Sequence, residues 1–292
     1  MDKVFFFAYL CKVPSLKILS KVVNLARGRK VVIFIEDYRR GDEHVFTNFL
    51  RSDPKHIEDR IVELQNWTEE VARKISEYCT NEEIEIPAIE FAPLEGSHWI
   101  KSLASNLEKG AAELLLVDHI AKPIDERLLE KLATLDVDVL MLQKSFWSAP
   151  LNVVCAIDPL HQGDKQASVD LSIVERGKQW QDNLGARVTL VYCRHVAPYL
   201  VKYKSQILQE QKLHIQEFMY DHHLNHFSLR LFDGNPEVSL PKVVQTLKAH
   251  VLVIGACKRS AVSRFWSGST VDILLKQPPC DLLLVNGTRF LT

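Results

Sequence analysis

Between Val251 and Lys276 one connection gathers Gly255, Lys258, Arg259, Arg264 and Gly268-Ser269-Thr270, residue types that suit an anion. The apolar run Val251 to Ile254 ends at Gly255, where a strand buried on both faces can turn sharply. Gly268-Ser269-Thr270 stands where a helix begins, so unpaired backbone N–H groups and short hydroxyls face the crevice that the strand end opens. The three cations add charge beside that helix start, and the whole has the geometry of an anion or nucleotide phosphate site. A strand-to-helix connection also needs glycines and a cap whatever it binds, so a purely structural reading stands beside the binding one. Asp158 closes a second apolar run just before Pro159. Its carboxylate is placed either to meet a ligand at the strand end or to cap the turn that follows.

Other chemistry is sparse. His222 and His226 form an i, i+4 pair with His214 before them, but no Glu or Cys completes a ligand set, so an exposed helix end is expected and no metal is predicted. Asp118-His119 is a lone pair at a strand end with no nucleophile at hand. The phosphate-loop, dinucleotide, nucleophile-elbow and zinc-protease motifs are absent, and Ser269 has no base to activate it. No catalytic residue is therefore assigned. Weak ATP hydrolysis would need few protein groups beyond a bound triphosphate and a divalent ion.

The elements that must position these residues alternate along the chain. In the first half the strands are expected at Val4–Leu10, Val31–Glu36, Ile84–Phe91, Leu114–Val117 and Val137–Leu142. Helical spacing runs from Leu16 to Ala26, Ile57 to Cys79, Trp99 to Leu107 and Ile124 to Leu132. The second half repeats the pattern, with strands at Asn152–Ile157, Val188–Cys193, Phe227–Leu231, Val251–Ile254 and Asp281–Val285. Its helices fall near 167–184, 201–224, 239–249 and 269–277. Such alternation predicts parallel sheets covered by helices. Two copies of about 145 residues fit the length, giving domains at 1–145 and 150–292. The joint Lys144 to Pro150 is short and holds Phe146 and Trp147, so it is expected to pack as a strap between the copies. Pro241 lies too deep for a helix that starts at Pro236, which predicts a start near Ser239 or a kink.

Composition narrows the class. The 36 Lys and Arg nearly cancel the 37 Asp and Glu, so no general attraction to nucleic acid or to an anionic membrane follows. The six cysteines are scattered, form no C-x-x-C and read as buried free thiols of a reducing compartment. Val4 to Leu10 imitates the apolar part of a signal peptide but has Asp2 ahead of it and Lys12 and Pro14 close behind, so a first strand and a cytoplasmic protein are expected.

Several stretches together resemble the universal stress protein (UspA) superfamily. Its signature is a strand, then Gly, two residues, Gly, nine residues and Gly-Ser or Gly-Thr; Gly255 and Gly268-Ser269 match the outer positions, and Lys258 replaces the middle glycine. Val153 to Pro159, Phe232 to Glu237 and Pro278 to Val285 carry the resemblance over 150–287, while the first half shares only element order and Ala112 to Val117. Two such domains in one chain, with Pro241 in the third helix, look most like the tandem E type. The resemblance implies an α/β fold of two tandem Rossmann-like (adenine nucleotide alpha hydrolase-like) domains. Each is a five-stranded parallel sheet of order 3-2-1-4-5 flanked by helices. The ligand crevice then lies between strands one and four, where open parallel sheets place ligands in general. It further implies ATP or another nucleotide as ligand, with Asp158 at the adenosine end and Gly255, Gly268, Ser269 and Thr270 around the phosphates. Lys258 obstructs close backbone approach or is strained at positive φ, yet offers a cation to phosphate.

The first copy has Tyr9 where the second has Asp158, and no glycine between Leu114–Val117 and Val137–Leu142. A structural role is expected for it, as a pseudo-symmetric partner of the second copy within the chain. A homodimer and unidentified protein partners stay open. The function read from these residues is a non-catalytic stress protein with a nucleotide or phosphorylated-ligand site in the second domain. The alternatives are a nucleotide-hydrolysing switch and a carrier of a small apolar or phosphorylated metabolite.

Overall fold

The computed structural model describes residues 3–36, 54–94, 98–135, 137–160, 167–256 and 269–286. These fall into two compact units, Met1–Phe146 and Trp147–Thr292.

The first unit runs β1 (Lys3–Tyr9), α1 (Leu16–Ala26), β2 (Lys30–Glu36), α2 (Pro54–Asn81), β3 (Ile89–Leu94), α3 (Trp99–Lys109), β4 (Leu114–Asp118), α4 (Glu126–Thr134) and β5 (Asp138–Leu142). β1 pairs in parallel with β2 and β4, β2 with β3, and β4 with β5, so the order is 3-2-1-4-5. The central place of β1 explains its unbroken apolar sequence, because Phe5, Phe6 and Phe7 are buried on both faces of the sheet. Each such side chain contributes roughly 1.5–3 kcal/mol by leaving water. Phe7 stacks on Trp99 of α3 at 5.4 Å. α1 buries Ile18, Leu19, Val22, Val23 and Leu25 along one stripe and stops where Arg27 turns left-handed at φ 48°. α2 packs through Trp67, Val71, Ile75 and Cys79, one residue every turn.

β3 lies later than the expected Ile84–Phe91. Ile84 is held to the end of α2 by its N–H to Cys79 O, and Ile86 is exposed, so pairing with β2 starts only at Ile89 opposite Val31.

The second unit runs β6 (Asn152–Ala156), α5 (Ser168–Leu184), β7 (Arg187–Arg194), a 3₁₀ turn (Pro198–Tyr203), α6 (Lys204–Asp221), β8 (Ser228–Asp233), α7 (Pro236–Thr246), β9 (Val251–Ala256), α8 (Ser269–Lys276) and β10 (Asp281–Asn286). β6 is central, flanked by β7 and β9, with β8 and β10 outermost, which repeats the same order. Three expectations need correction. α7 starts at Pro236, where a missing N–H costs nothing, with the Asn235 side chain accepting from Glu237 N–H, and it continues through Pro241. β9 passes through Gly255 rather than stopping before it, since Gly255 pairs with Val285 and Ala256 with Asn286. The expected helix 201–224 divides into the 3₁₀ turn and α6.

Residues 147–152 dock on the second unit. Trp147 Nε1–H donates to the buried Asp281 carboxylate at 2.7 Å, and its ring lies 5.8 Å from that of Trp180. His250 accepts the Asn152 N–H at Nδ1, 3.0 Å away, and its Nε2 lies 2.9 Å from Ser148 Oγ and 3.3 Å from Ser148 N. Phe146, in the first unit, lies under the Lys17 ammonium. Cys79, Cys155 and Cys280 are buried and Cys193 half-buried, all as free thiols, whereas Cys11, in the turn after β1, is exposed and departs from the expectation. Cys257 lies outside the described residues. Among those residues no helix is long and apolar enough to cross a membrane.

Candidate functional site

In each unit the connections leave the central strand on opposite sides, so a crevice opens at the carboxyl ends of strands one and four. In the second unit these are β6 and β9, whose register sets Cys155 against Val253. Asp158 lies two residues beyond β6 and is exposed. Its main-chain N–H donates to Asp170 Oδ1 at 2.7 Å, and Asp170 is buried in the first turn of α5, where a carboxylate is favoured by the helix end. Asp158 also acts on β7: burial first, then its negative charge, pushes the Tyr192 hydroxyl up to about 12 and the Cys193 thiol up to about 11.

Gly255 has a different reason to be glycine than a turn. A Cβ there would stand 2.1 Å from Val169 Cγ1 and 3.2 Å from Ile173 Cδ1, so the residue lets α5 press against β9. The first turn of α5 therefore holds both lips of the crevice, Asp158 through Asp170 and Gly255 through Val169. Sequence reasoning missed Asp170 and Val169. The only local signal was an acid near the start of a helix following a strand.

Ser269 and Thr270 open α8, and Thr270 is half-buried. Asp272, in the same first turn, is exposed and already brings negative charge to that helix end. Lys258 and Gly268 lie outside the described residues, as do Arg259 and Arg264.

At the carboxyl ends of the first unit's strands several polar side chains are buried together. Tyr9, at the end of β1, is buried with its edge against Phe7. Glu36 at the end of β2 and Asp118 at the end of β4 are buried beside it. Lys122, from the short connection after β4, approaches Glu36 Oε1 at 3.7 Å and lies 5.7 Å from the centre of the Tyr9 ring. Glu36 Oε2 is buried with no hydrogen-bond partner among the described residues. Burial raises the Glu36 carboxyl above its ordinary range, partly offset by Lys122, and burial aided by Glu36 and Asp118 raises the Tyr9 hydroxyl. Asp118 and His119 serve the turn: Asp118 Oδ1 accepts from Ile120 and Ala121 N–H, and His119 Nδ1 accepts from Ile124 N–H. His214, His222, His223 and His226 are exposed on and just beyond α6. Among the described residues no group of three His, Cys, Asp or Glu is placed to hold a metal ion.

Residues 152–286 match the model of the universal stress protein family. The chain is 26% identical over 189 residues to universal stress protein E homolog of Haemophilus influenzae, covering 60% of this chain and 59% of that protein. It is 22% identical over 187 residues to universal stress protein E of Photorhabdus laumondii, covering 59% of this chain and 57% of the relative. The chain thus spans under two thirds of the length of these relatives. A crystal structure of a universal stress protein from Archaeoglobus fulgidus superposes with a TM-score of 0.58 at 12% identity, covering 96% of both chains. A protein of unknown function from Pseudomonas aeruginosa PAO1 gives 0.60 at 15% identity, covering 97% of this chain and 92% of that one. Identities this low speak for the fold alone. Residues 152–286 thus resemble the universal stress protein family, and the chain is similar to proteins of its E type.

Proposed function

We propose that the second unit binds a phosphorylated ligand, a nucleotide foremost, in the crevice at the carboxyl ends of β6 and β9. In this reading the chain acts in stress response without catalysis, through protein contacts that the ligand modulates. The observation that carries the proposal is the shared anchoring of both lips by the first turn of α5, which fixes the Asp158 backbone and the Gly255 strand end around one opening. Pre-set lips of this kind lower the ordering cost of binding. Asp158 would take the polar end of the ligand, and Gly268, Ser269 and Thr270, with Lys258, would face its phosphates.

Calorimetry and thermal-shift screening of the full chain with ATP, ADP, AMP and nucleotide sugars test this. Saturable binding that is weakened about tenfold by Asp158→Ala, the loss of one hydrogen bond to a charged group, and abolished by Gly268→Val is the expected result. No response from the wild-type chain to any of these compounds would overturn it. Turnover of ATP that disappears in Gly268→Val would instead establish the hydrolysing switch.

A further inference from the structure

The first unit lacks the glycine loop, yet it has a cavity of its own. A hollow of about 230 Å³ lies beside the carboxyl ends of β1, β4 and β5. Its wall carries Lys12 from the turn after β1, Lys17 from the first turn of α1 and Lys144 from the segment after β5. Ile18 and Ile120 give it an apolar floor.

Some lysines of this unit are already ion-paired. Lys30 pairs with Glu90, Lys74 with Glu70 and Lys122 with Glu36. Among the described residues, no carboxylate stands within ion-pair reach of Lys12, Lys17 or Lys144. The acid on the wall, Asp118, turns Oδ1 to the backbone N–H groups of Ile120 and Ala121, and burial raises its carboxyl. Ser15 also lines the hollow and makes no capping bond to the helix it precedes, and no acid stands in that helix's first turn. Lys17 is held by the Phe146 ring, 5.0 Å from its centre, so one ammonium is pre-positioned. Cations from three separate elements around one concavity focus positive potential on it.

We infer that this hollow is a second ligand site, for a small phosphorylated metabolite whose phosphate meets Lys12, Lys17 and Lys144 and whose short apolar part covers Ile18 and Ile120. Its volume is below the roughly 300–1,000 Å³ of pockets for drug-sized ligands, which favours a phosphate ester of a few carbons over a whole nucleotide. Binding here is independent of the loop between β9 and α8.

The test is calorimetric titration of the full chain with glycerol 3-phosphate and with inorganic phosphate, checked by phosphorus NMR. The expected result is saturable binding of glycerol 3-phosphate, tighter than phosphate. Lys12→Glu and Lys144→Glu should each weaken it about tenfold or more, the size of one lost charge-assisted contact. These lysines are exposed, so thermal unfolding of both variants should match the wild type. Lys30→Glu, a charge reversal elsewhere on the unit, and Gly268→Val in the second unit should leave binding unchanged. Absence of saturable binding, an equal loss in Lys30→Glu, or a loss in Gly268→Val would each overturn the proposal. The last two results would mark general surface attraction and the second unit's crevice respectively.

Discussion

Gly255→Ala places one methyl group where the structure has no room for it. The new Cβ would meet Val169 Cγ1 at 2.1 Å, Ile173 Cδ1 at 3.2 Å and Val169 Cβ at 3.6 Å. Carbon atoms rest at about 3.5–4.0 Å, so the nearest contact must open by about 1.5 Å. Val169 Cβ already rests at contact distance, so relief must come from turning Cγ1 away, and leaving a staggered rotamer to do so costs about 0.5–1.5 kcal/mol. Moving α5 outward would stretch the bond from the Asp158 N–H to Asp170. Gly255 is not among the described glycines at positive φ, so alanine fits the backbone and the loss isolates packing. Overpacking of this kind costs about 1–3 kcal/mol. At roughly 2–4 °C per kcal/mol, a loss near the middle of that range lowers the unfolding midpoint of this unit by about 4–8 °C. Thermal and urea unfolding followed by circular dichroism measure it, with Val169→Ala and the double variant completing a cycle. The double variant should recover at least about 1 kcal/mol relative to additivity. A Gly255→Ala midpoint equal to the wild type, or a strictly additive cycle, refutes the account of why this position is glycine.

Three further outcomes follow from the same contacts. Glu36 has a folded-state carboxyl raised above its ordinary range, so the folded chain holds the extra proton and stability falls as pH rises through that raised value. Glu36→Gln should therefore raise the unfolding midpoint at pH 7 and match the wild type below about pH 4, where an ordinary Glu is protonated; a lower midpoint at pH 7 contradicts it. Trp147→Phe removes the indole donor from the fully buried Asp281 and should cost about 1–3 kcal/mol in urea unfolding of the second unit, whereas a neutral result would mean that the docking of 147–152 adds nothing. Asn235→Ala removes the cap of α7 and should cost about 0.5–2 kcal/mol, with Asn235→Asp close to neutral, both read from denaturant midpoints.

Element order was legible because the central strands are apolar on both faces and the helices carry stripes that a linear sequence displays directly, whereas the sheet order came from the resemblance to the universal stress protein superfamily. What failed did so where a distant partner decided. Ile84 and Ile86 look like strand residues, but one is bound back to α2 and the other is exposed, and neither fact is local. Pro241 reads as too deep for a helix entered at Pro236, yet α7 runs from Pro236 through Pro241 with Asn235 as its cap. Gly255 reads as the turn that ends a strand, but it pairs inside β9 and makes room for Val169, which lies far away in sequence. Of the candidate site residues, Asp158 and Gly255 are brought under the same turn of α5, and Ser269 and Thr270 open α8 as their types suggested. The buried Glu36 could be read as an acid at a strand end, but not as one whose second oxygen meets no partner among the described residues, because that depends on where Lys122 lands.

The pairing of Trp147 with Trp180 has a practical consequence. Two indoles with ring centres 5.8 Å apart and planes inclined by 56° couple their electronic transitions in a chiral arrangement. The segment joining the two halves of the chain thus carries an intrinsic optical reporter. Its near-ultraviolet dichroism registers whether that segment is seated, without any attached dye.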